Sequence, residues 1–364
     1  MTISLASLRG SAFTKTCLLI VLFVAMQTRE GVAQYTGLYA FGDSLSDLGN
    51  TYNALGGTAN DQTIYNLIDY TASAGRYDAG RWSNGPLWVE HLNNQLGLPT
   101  LQRNNGSSPL TSGTNFAYGG ATSGTGYKDF VVANLQTQVA SYVTLAGTGS
   151  ATGLYTVWAG GNDVIDYIAA GSPNTPSGIN QLAATMATNI ATAVTTLYAA
   201  GARNVMVANL PALGDKPSYV NTPNQAFANA IVTTYNLQLT QSIASLEVQL
   251  PELELTSWDV YSNFNEILQD PGNYGFTDVT AGAFSGSGPY PGTVVANPDQ
   301  HVFWDETHPT APGHELLGGY AYAALVPEPA SLVLAGLGIG AVLALRRSRR
   351  VLPRALQNVT AKAT

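Results

Sequence analysis

This sequence is short of cysteine, of charge in general, and of positive charge in its central part. One cysteine occurs in 364 residues. That residue, Cys17, falls in the apolar run CLLIVLFVAM near the front. If the front segment is removed after Ala33, what remains has neither disulfides nor thiol chemistry. Charged residues are 10% of the chain and hydrophobic ones 45%, enough apolar material for a core and too much for a disordered polymer. Between Gln34 and Pro327 the basic residues are only Arg76, Arg81, Arg103, Lys128, Arg203 and Lys216, against 21 acidic ones. A formal charge near −15 over that stretch argues against nucleic acid or anionic lipid as a partner and fits solubility outside the cell. No internal repeat is visible. No G-x-S-x-G occurs either, which disfavours a nucleophile-elbow hydrolase, and no spacing of Cys, His and carboxylates points to a metal.

The two ends read as addresses. Residues 1–33 combine basic residues, the apolar run and Gly31-Val32-Ala33 as a small-x-small cleavage site, the pattern of a secretory signal peptide. Near the other end, SLVLAGLGIGAVLAL (Ser331–Leu345) is apolar without a charge and is followed by RRSRR. It is marginal in length for a membrane span, and the arginines are expected to stay cytoplasmic. Val326-Pro327-Glu328-Pro329-Ala330 just before it makes residues 327–350 resemble the PEP-CTERM sorting signal of Gram-negative bacteria. That resemblance implies export, transient retention in the inner membrane by the hydrophobic helix, and cleavage near Pro-Glu-Pro by an exosortase-type enzyme. Residues 351–364 depart from such signals, which usually stop soon after the arginines, and are expected to form a short cytoplasmic tail.

Residues 34–326 alternate between strand and helix patterns, as an α/β domain does. Short apolar runs at Tyr35–Phe41, Leu154–Gly160 and Asn204–Pro211 suit buried strands, and LELTSWDVY supplies another. Leu182, Met186, Ile190, Val194 and Leu197 recur at helical spacing, which predicts a helix over Gln181–Ala200 ended by Gly201. A longer helix is expected over Gln225–Gln249, a short one at FNEIL, and a last one entered near Pro312. Asn53–Asp78 and Asp270–Asn297 read as loops that shape a pocket.

FGDSLSDLGN (Phe41–Asn50) places Ser44 just beyond the first strand, where open α/β sheets hold their ligands. On its own the stretch reads equally as a turn with an N-cap. Three other segments, each after a strand, carry polar groups: Gly119 with Gly120, Asn162, and Asp305 with His308. An attacking serine needs a base and donors for the oxyanion it creates. His308 can be the base and Asp305 can orient it. The amides of Ser44 and Gly120 and the side chain of Asn162 can be the donors. His91, His301 and His314 read as structural, Asp163 and Asp166 as local caps or pairs, and the tryptophans as core.

FGDSLSDLGN, NFAYGG, GGND and FWDETHPT together resemble, in order, the four blocks of the GDSL esterase/lipase family, also called SGNH hydrolases. GRWSNGPLWVEHL resembles a further segment of its longer members. The resemblance implies a three-layer α/β/α, flavodoxin-like sandwich with a mainly parallel sheet. It implies carboxylic ester hydrolysis without a cofactor or metal, with Ser44, Asp305 and His308 catalytic and Ser44, Gly120 and Asn162 as the oxyanion hole. Between the adjacent glycines, Gly120 is favoured by its distance from Asn115. The expected substrate is a lipid or short acyl ester. Acetylated exopolysaccharide is an alternative suggested by the sorting signal, and a non-catalytic surface binding module on the same fold is another.

Overall fold

Runs such as LYAFG, LYTVW and NVMVA have too little polarity to face water on either side, so they belong in a parallel sheet covered by helices on both faces. The computed structural model describes residues 35–55, 77–107, 110, 113–285 and 293–326. The expected signal peptide, the sorting segment beyond Val326 with its hydrophobic helix, the tail and most of loop 53–78 lie outside the described residues. Among the described residues no helix is long and apolar enough to cross a membrane.

The runs form β1 (Leu38–Gly42), β4 (Leu154–Trp158) and β5 (Asn204–Ala208), joined by two-residue β2 (Gln102–Arg103) and β3 (Thr114–Asn115) and by β6 (Glu254–Trp258). The sheet order is β2-β3-β1-β4-β5-β6, every neighbouring pair parallel. Side chains alternate across each strand, and the two faces carry different aromatic clusters. Tyr39, Phe41 and Tyr155 meet Tyr142 of helix α3 (Leu135–Ala146), with Tyr39 stacked on Tyr155 at 5.0 Å. Trp158 and Trp258 point to the other face and meet Trp88 of helix α2 (Trp88–Gln95), with centroids 4.9–5.5 Å apart. These three indoles are core, as the sequence implied.

The remaining helices are α1 (Asn50–Ala54), α4 (Gly161–Ala169), α5 (Pro176–Ala199), α6 (Pro223–Gln249), α7 (Val260–Gln269) and α8 (Ala311–Leu325). Helix α5 starts five residues before the expected Gln181. Thr175 caps it, its hydroxyl accepting from Gly178 N at 3.2 Å, and Pro176 takes the first position, where a missing N–H costs nothing. The apolar period begins only after this cap, so periodicity alone set the start too late.

From β1 the chain runs out to β2 and β3 on one side and then crosses to β4 on the other. At that divergence a crevice opens beyond the strands' carboxyl ends. Ser44, Gly119 with Gly120, and Asn162 follow β1, β3 and β4. The fourth segment differs from expectation. Asp305 and His308 follow β8 (His301–Phe303), which pairs in parallel with β7 (Asp278–Gly282) rather than with the main sheet. Strand β7 lies inside the stretch 270–297 expected to be loop. None of its five residues is buried, so it carries little apolar pattern before its partner is known.

Candidate active site

The close approach of β1 to β4 is built on Gly42. A Cβ there would sit 2.1 Å from the Trp158 carbonyl oxygen. The buried Gln138 side chain clamps this glycine, accepting from its N–H at 2.9 Å and donating to its carbonyl at 2.8 Å. The chain then turns sharply: Asp43 O accepts from Ser46 N at 3.0 Å and Asp43 Oδ1 from Leu45 N at 3.1 Å. Ser44 is thereby held at the lip of the crevice, 9% exposed.

His308 comes to it from the β8–α8 loop, which is closed by Trp304 N donating to His308 O at 2.7 Å. Ser44 Oγ lies 2.8 Å from His308 Nε2, and His308 Nδ1 lies 2.7 Å from Asp305 Oδ2. With the imidazole proton on Nδ1, the ring donates to Asp305 and accepts from the serine hydroxyl. Asp305 is itself fixed: Thr307 N and His308 N donate to Oδ1, both at 2.7 Å, and the Tyr77 hydroxyl donates to Oδ2 at 2.9 Å. Burial pushes the Asp305 carboxyl up, but the His308 charge and the bonds from the His308 ring and the His308 and Thr307 N–H groups together hold it below the usual carboxylate range. An ionised carboxylate behind the imidazole favours the imidazolium that forms when serine gives up its proton.

The two adjacent glycines separate cleanly. Gly119 donates its N–H to Asp47 Oδ2 at 2.9 Å. Gly120, at φ +84°, lines the cavity, and its N–H has no protein partner among the described residues. Asn162, at the start of α4, also lines the cavity and spends one of its two amide protons on Ala121 O at 3.0 Å, leaving the other free to face a ligand. Ser44, Gly120 and Asn162 thus line one cavity, and Gly120 N–H and one Asn162 amide proton have no protein partner among the described residues.

The cavity beside Ser44 measures about 210 Å³. Ile165, Leu213, Val260, Phe264 and Phe303 make much of its wall, and Trp82 covers the His308 ring at a centroid distance of 5.4 Å. Among the described residues of segments 53–78 and 270–297, none lines the cavity. Among the described residues no three His, Cys, Asp or Glu side chains are grouped to hold a metal ion.

A family model described as GDSL-like lipase/acylhydrolase matches residues 38–320. The chain belongs to that family. As a GDSL-like lipase/acylhydrolase it is a lipolytic or esterase hydrolase with an α/β fold. A second model, the PEP-CTERM protein-sorting motif, matches residues 325–350 and implies export with membrane-associated sorting. Phosphatidylcholine-sterol acyltransferase of Aeromonas hydrophila is 26% identical over 342 residues, covering 83% of this chain and 93% of that one. A GDSL esterase/lipase of Arabidopsis thaliana is 26% identical over 328 residues, 79% of this chain and 86% of that one. Among solved structures, phospholipase A1 from Streptomyces albidoflavus aligns with a TM-score of 0.42 at 16% identity, covering 80% of this chain and 98% of that one.

Two residues of this GDSL-family chain, Asp163 and Asp166, sit differently from their sequence reading. Asp163 and Asp166 do not pair locally. Asp163 accepts from Ser123 N and Oγ at 2.8 and 2.7 Å, and Asp166 pairs with Lys128 at 2.8 Å, so α4 is tied to the loop that follows Gly120. His314 is a buried helix residue whose Nδ1 accepts from Trp88 N at 3.3 Å, and His301 opens β8 with its Nδ1 3.1 Å from Ala281 O. Sequence reasoning missed Asp47, Trp82, Tyr77 and Lys216. Asp47, wholly buried, accepts from the N–H groups of Gly49, Asn50, Thr51 and Gly119 and from Trp82 Nε1, joining the serine turn to the glycine loop. Its place just before α1, in the pattern D-x-G-N, was the one available signal.

Proposed function

We propose that the protein is an exported serine esterase that hydrolyses carboxylic esters through an acyl-serine intermediate. The observation that carries this reading is the continuous chain from Ser44 Oγ through His308 to Asp305, with links of 2.8 and 2.7 Å. Ser44 attacks the ester carbonyl, His308 takes its proton and returns it to the departing alcohol, and Asp305 stabilises the imidazolium. The Ser44 and Gly120 amides and the Asn162 side chain hold the oxyanion. His308 then activates water to release the acid and free Ser44. Residues 34–326 form the hydrolase domain. Residues 1–33 direct export, and residues 327–350 retain the chain in the inner membrane until an exosortase-type enzyme cuts near Pro-Glu-Pro, leaving 351–364 on the cytoplasmic side and the enzyme outside.

The cavity of about 210 Å³ is smaller than the roughly 300–1,000 Å³ of drug-sized sites, which favours short acyl groups. That size, with the sorting motif, also supports acetylated exopolysaccharide as a substrate. A panel of p-nitrophenyl esters of graded acyl length, with acetate release from acetylated glycans beside it, tests both readings. Ser44→Ala and His308→Ala are expected to lose about 10⁴-fold or more in kcat. Hydrolysis by either variant at the parent rate overturns the assignment.

A further inference from the structure

The cavity beside Ser44 is mostly apolar, and among the described residues its lining holds one Lys or Arg, Lys216. This lysine is 5% exposed. Its ammonium donates to the hydroxyls of Ser218 and Thr307, the latter at 3.2 Å, and lies 4.0 Å from the centre of the Tyr219 ring. All of these partners are neutral. The other described cations are satisfied or wet: Arg81 pairs with Glu90 and Asp78, Lys128 with Asp166 and Arg203 with Glu252, while Arg103 reaches Asn53 at the surface. No carboxylate lies within 4.0 Å of Lys216 among the described residues, so the buried ammonium makes no direct ion pair, and the Asp305 and Glu306 charges act on it only from farther away. Buried charges are ordinarily paired, because an unpaired one keeps most of its desolvation cost.

We propose that Lys216 is a specificity residue that receives an anionic group of the substrate, a carboxylate or phosphate borne on the ester near its scissile carbonyl. The inference rests on the esterase reading and narrows it. An apolar wall with one buried cation is the arrangement that accepts a short aliphatic stretch ending in a negative group. In an acidic body such a group has few other places to go. Burial lowers the Lys216 pKa to about 8, partly offset by the Asp305 and Glu306 charges. Lys216 touches the loop of Asp305 and His308 through Thr307, so an anion bound there lies beside the catalytic groups without replacing any of their bonds.

The test compares pairs of esters that differ only in the anionic group. p-Nitrophenyl hemiglutarate against p-nitrophenyl valerate places the charge on the acyl side. 4-Butyryloxybenzoate against phenyl butyrate places it on the alcohol side. The parent is expected to prefer the anionic member of at least one pair, and that pair identifies the side. Lys216→Met is expected to lower the preference, as a ratio of kcat/KM values, about 10- to 100-fold, the range for a hydrogen bond to a charged group. Should Lys216→Met be inactive on all four esters, the parent supplies the answer. Its preference should fall as pH rises through about 8 and the ammonium deprotonates; Asp43, His308, Asp305, Glu306 and Tyr219 are the other ionisable groups around the site, and Asp43→Asn, which removes the other carboxyl group lining the cavity, should keep the fall. Neutral esters hydrolysed with both ratios near one, or ratios that neither the substitution nor pH moves, overturn the inference. Failure to hydrolyse any of the four by the parent itself sinks the esterase reading instead.

Discussion

Asp47→Asn removes one oxygen from a carboxylate that accepts five hydrogen bonds. Oδ1 takes Gly49 N at 2.8 Å and Asn50 N at 2.6 Å, and Oδ2 takes Gly119 N at 2.9 Å, Thr51 N at 3.2 Å and Trp82 Nε1 at 3.3 Å. An asparagine offers one accepting oxygen and an NH₂ group, so either orientation turns a donor toward at least two N–H groups. A buried donor left unsatisfied costs about 1–3 kcal/mol. Burial pushes the Asp47 carboxyl up, so neutralising it returns part of that loss. The net expectation is a destabilisation of about 2–4 kcal/mol, read as a shift in denaturant midpoint at unchanged slope. The effect on catalysis separates a positioning role from a merely structural one. Gly119 loses its anchor, and the Gly120 amide beside it moves away from the oxyanion, so kcat should fall about 10- to 100-fold while KM changes little. A folded Asp47→Asn protein with kcat within about threefold of the parent would refute the idea that Asp47 aligns the glycine loop.

Asn162→Ala removes a side-chain donor from the oxyanion and should lower kcat about 10²- to 10³-fold with little change in KM, measured on a short p-nitrophenyl ester. An equal rise in KM at constant kcat would mean that Asn162 binds substrate rather than the transition state. Asp43, 3% exposed, has its pKa pushed up to about 7 by burial, against the pull of the Leu45 N–H and the His308 charge. The folded state therefore keeps a proton between about pH 4 and 7 that the unfolded chain has released, so this group's contribution is favourable below pH 4 and is lost as pH rises to 7. Asp43→Asn should gain on the parent by about 3–4 kcal/mol between pH 4 and pH 8 in denaturation experiments, at about 1.4 kcal/mol per pH unit. A difference between the two proteins that stays flat with pH would contradict this.

What could be read in advance follows from how local each feature is. Strands β1, β4 and β5 are buried on both faces, so composition alone marks them. Ser44, and Asp305 with His308 three residues on, lie in short segments whose residue types announce their chemistry. Strands β2 and β3 have two residues each, and β7 acquires its identity only from β8. The hub at Asp47 joins groups up to 72 residues apart, and Lys216 meets Thr307 across 91. Contacts of that range leave no periodicity. Asp166 illustrates the same point: it finds Lys128 rather than a neighbour on its own helix.

The central claim is that Ser44 carries the acyl group. Mixing the protein with excess p-nitrophenyl butyrate, quenching with acid within the first turnovers and mapping peptides by mass spectrometry tests it directly. The account predicts a butyryl adduct on the peptide containing Ser44, formed with a burst of p-nitrophenol and absent from Ser44→Ala. An adduct on another residue, or steady hydrolysis by Ser44→Ala at the parent rate, would contradict it.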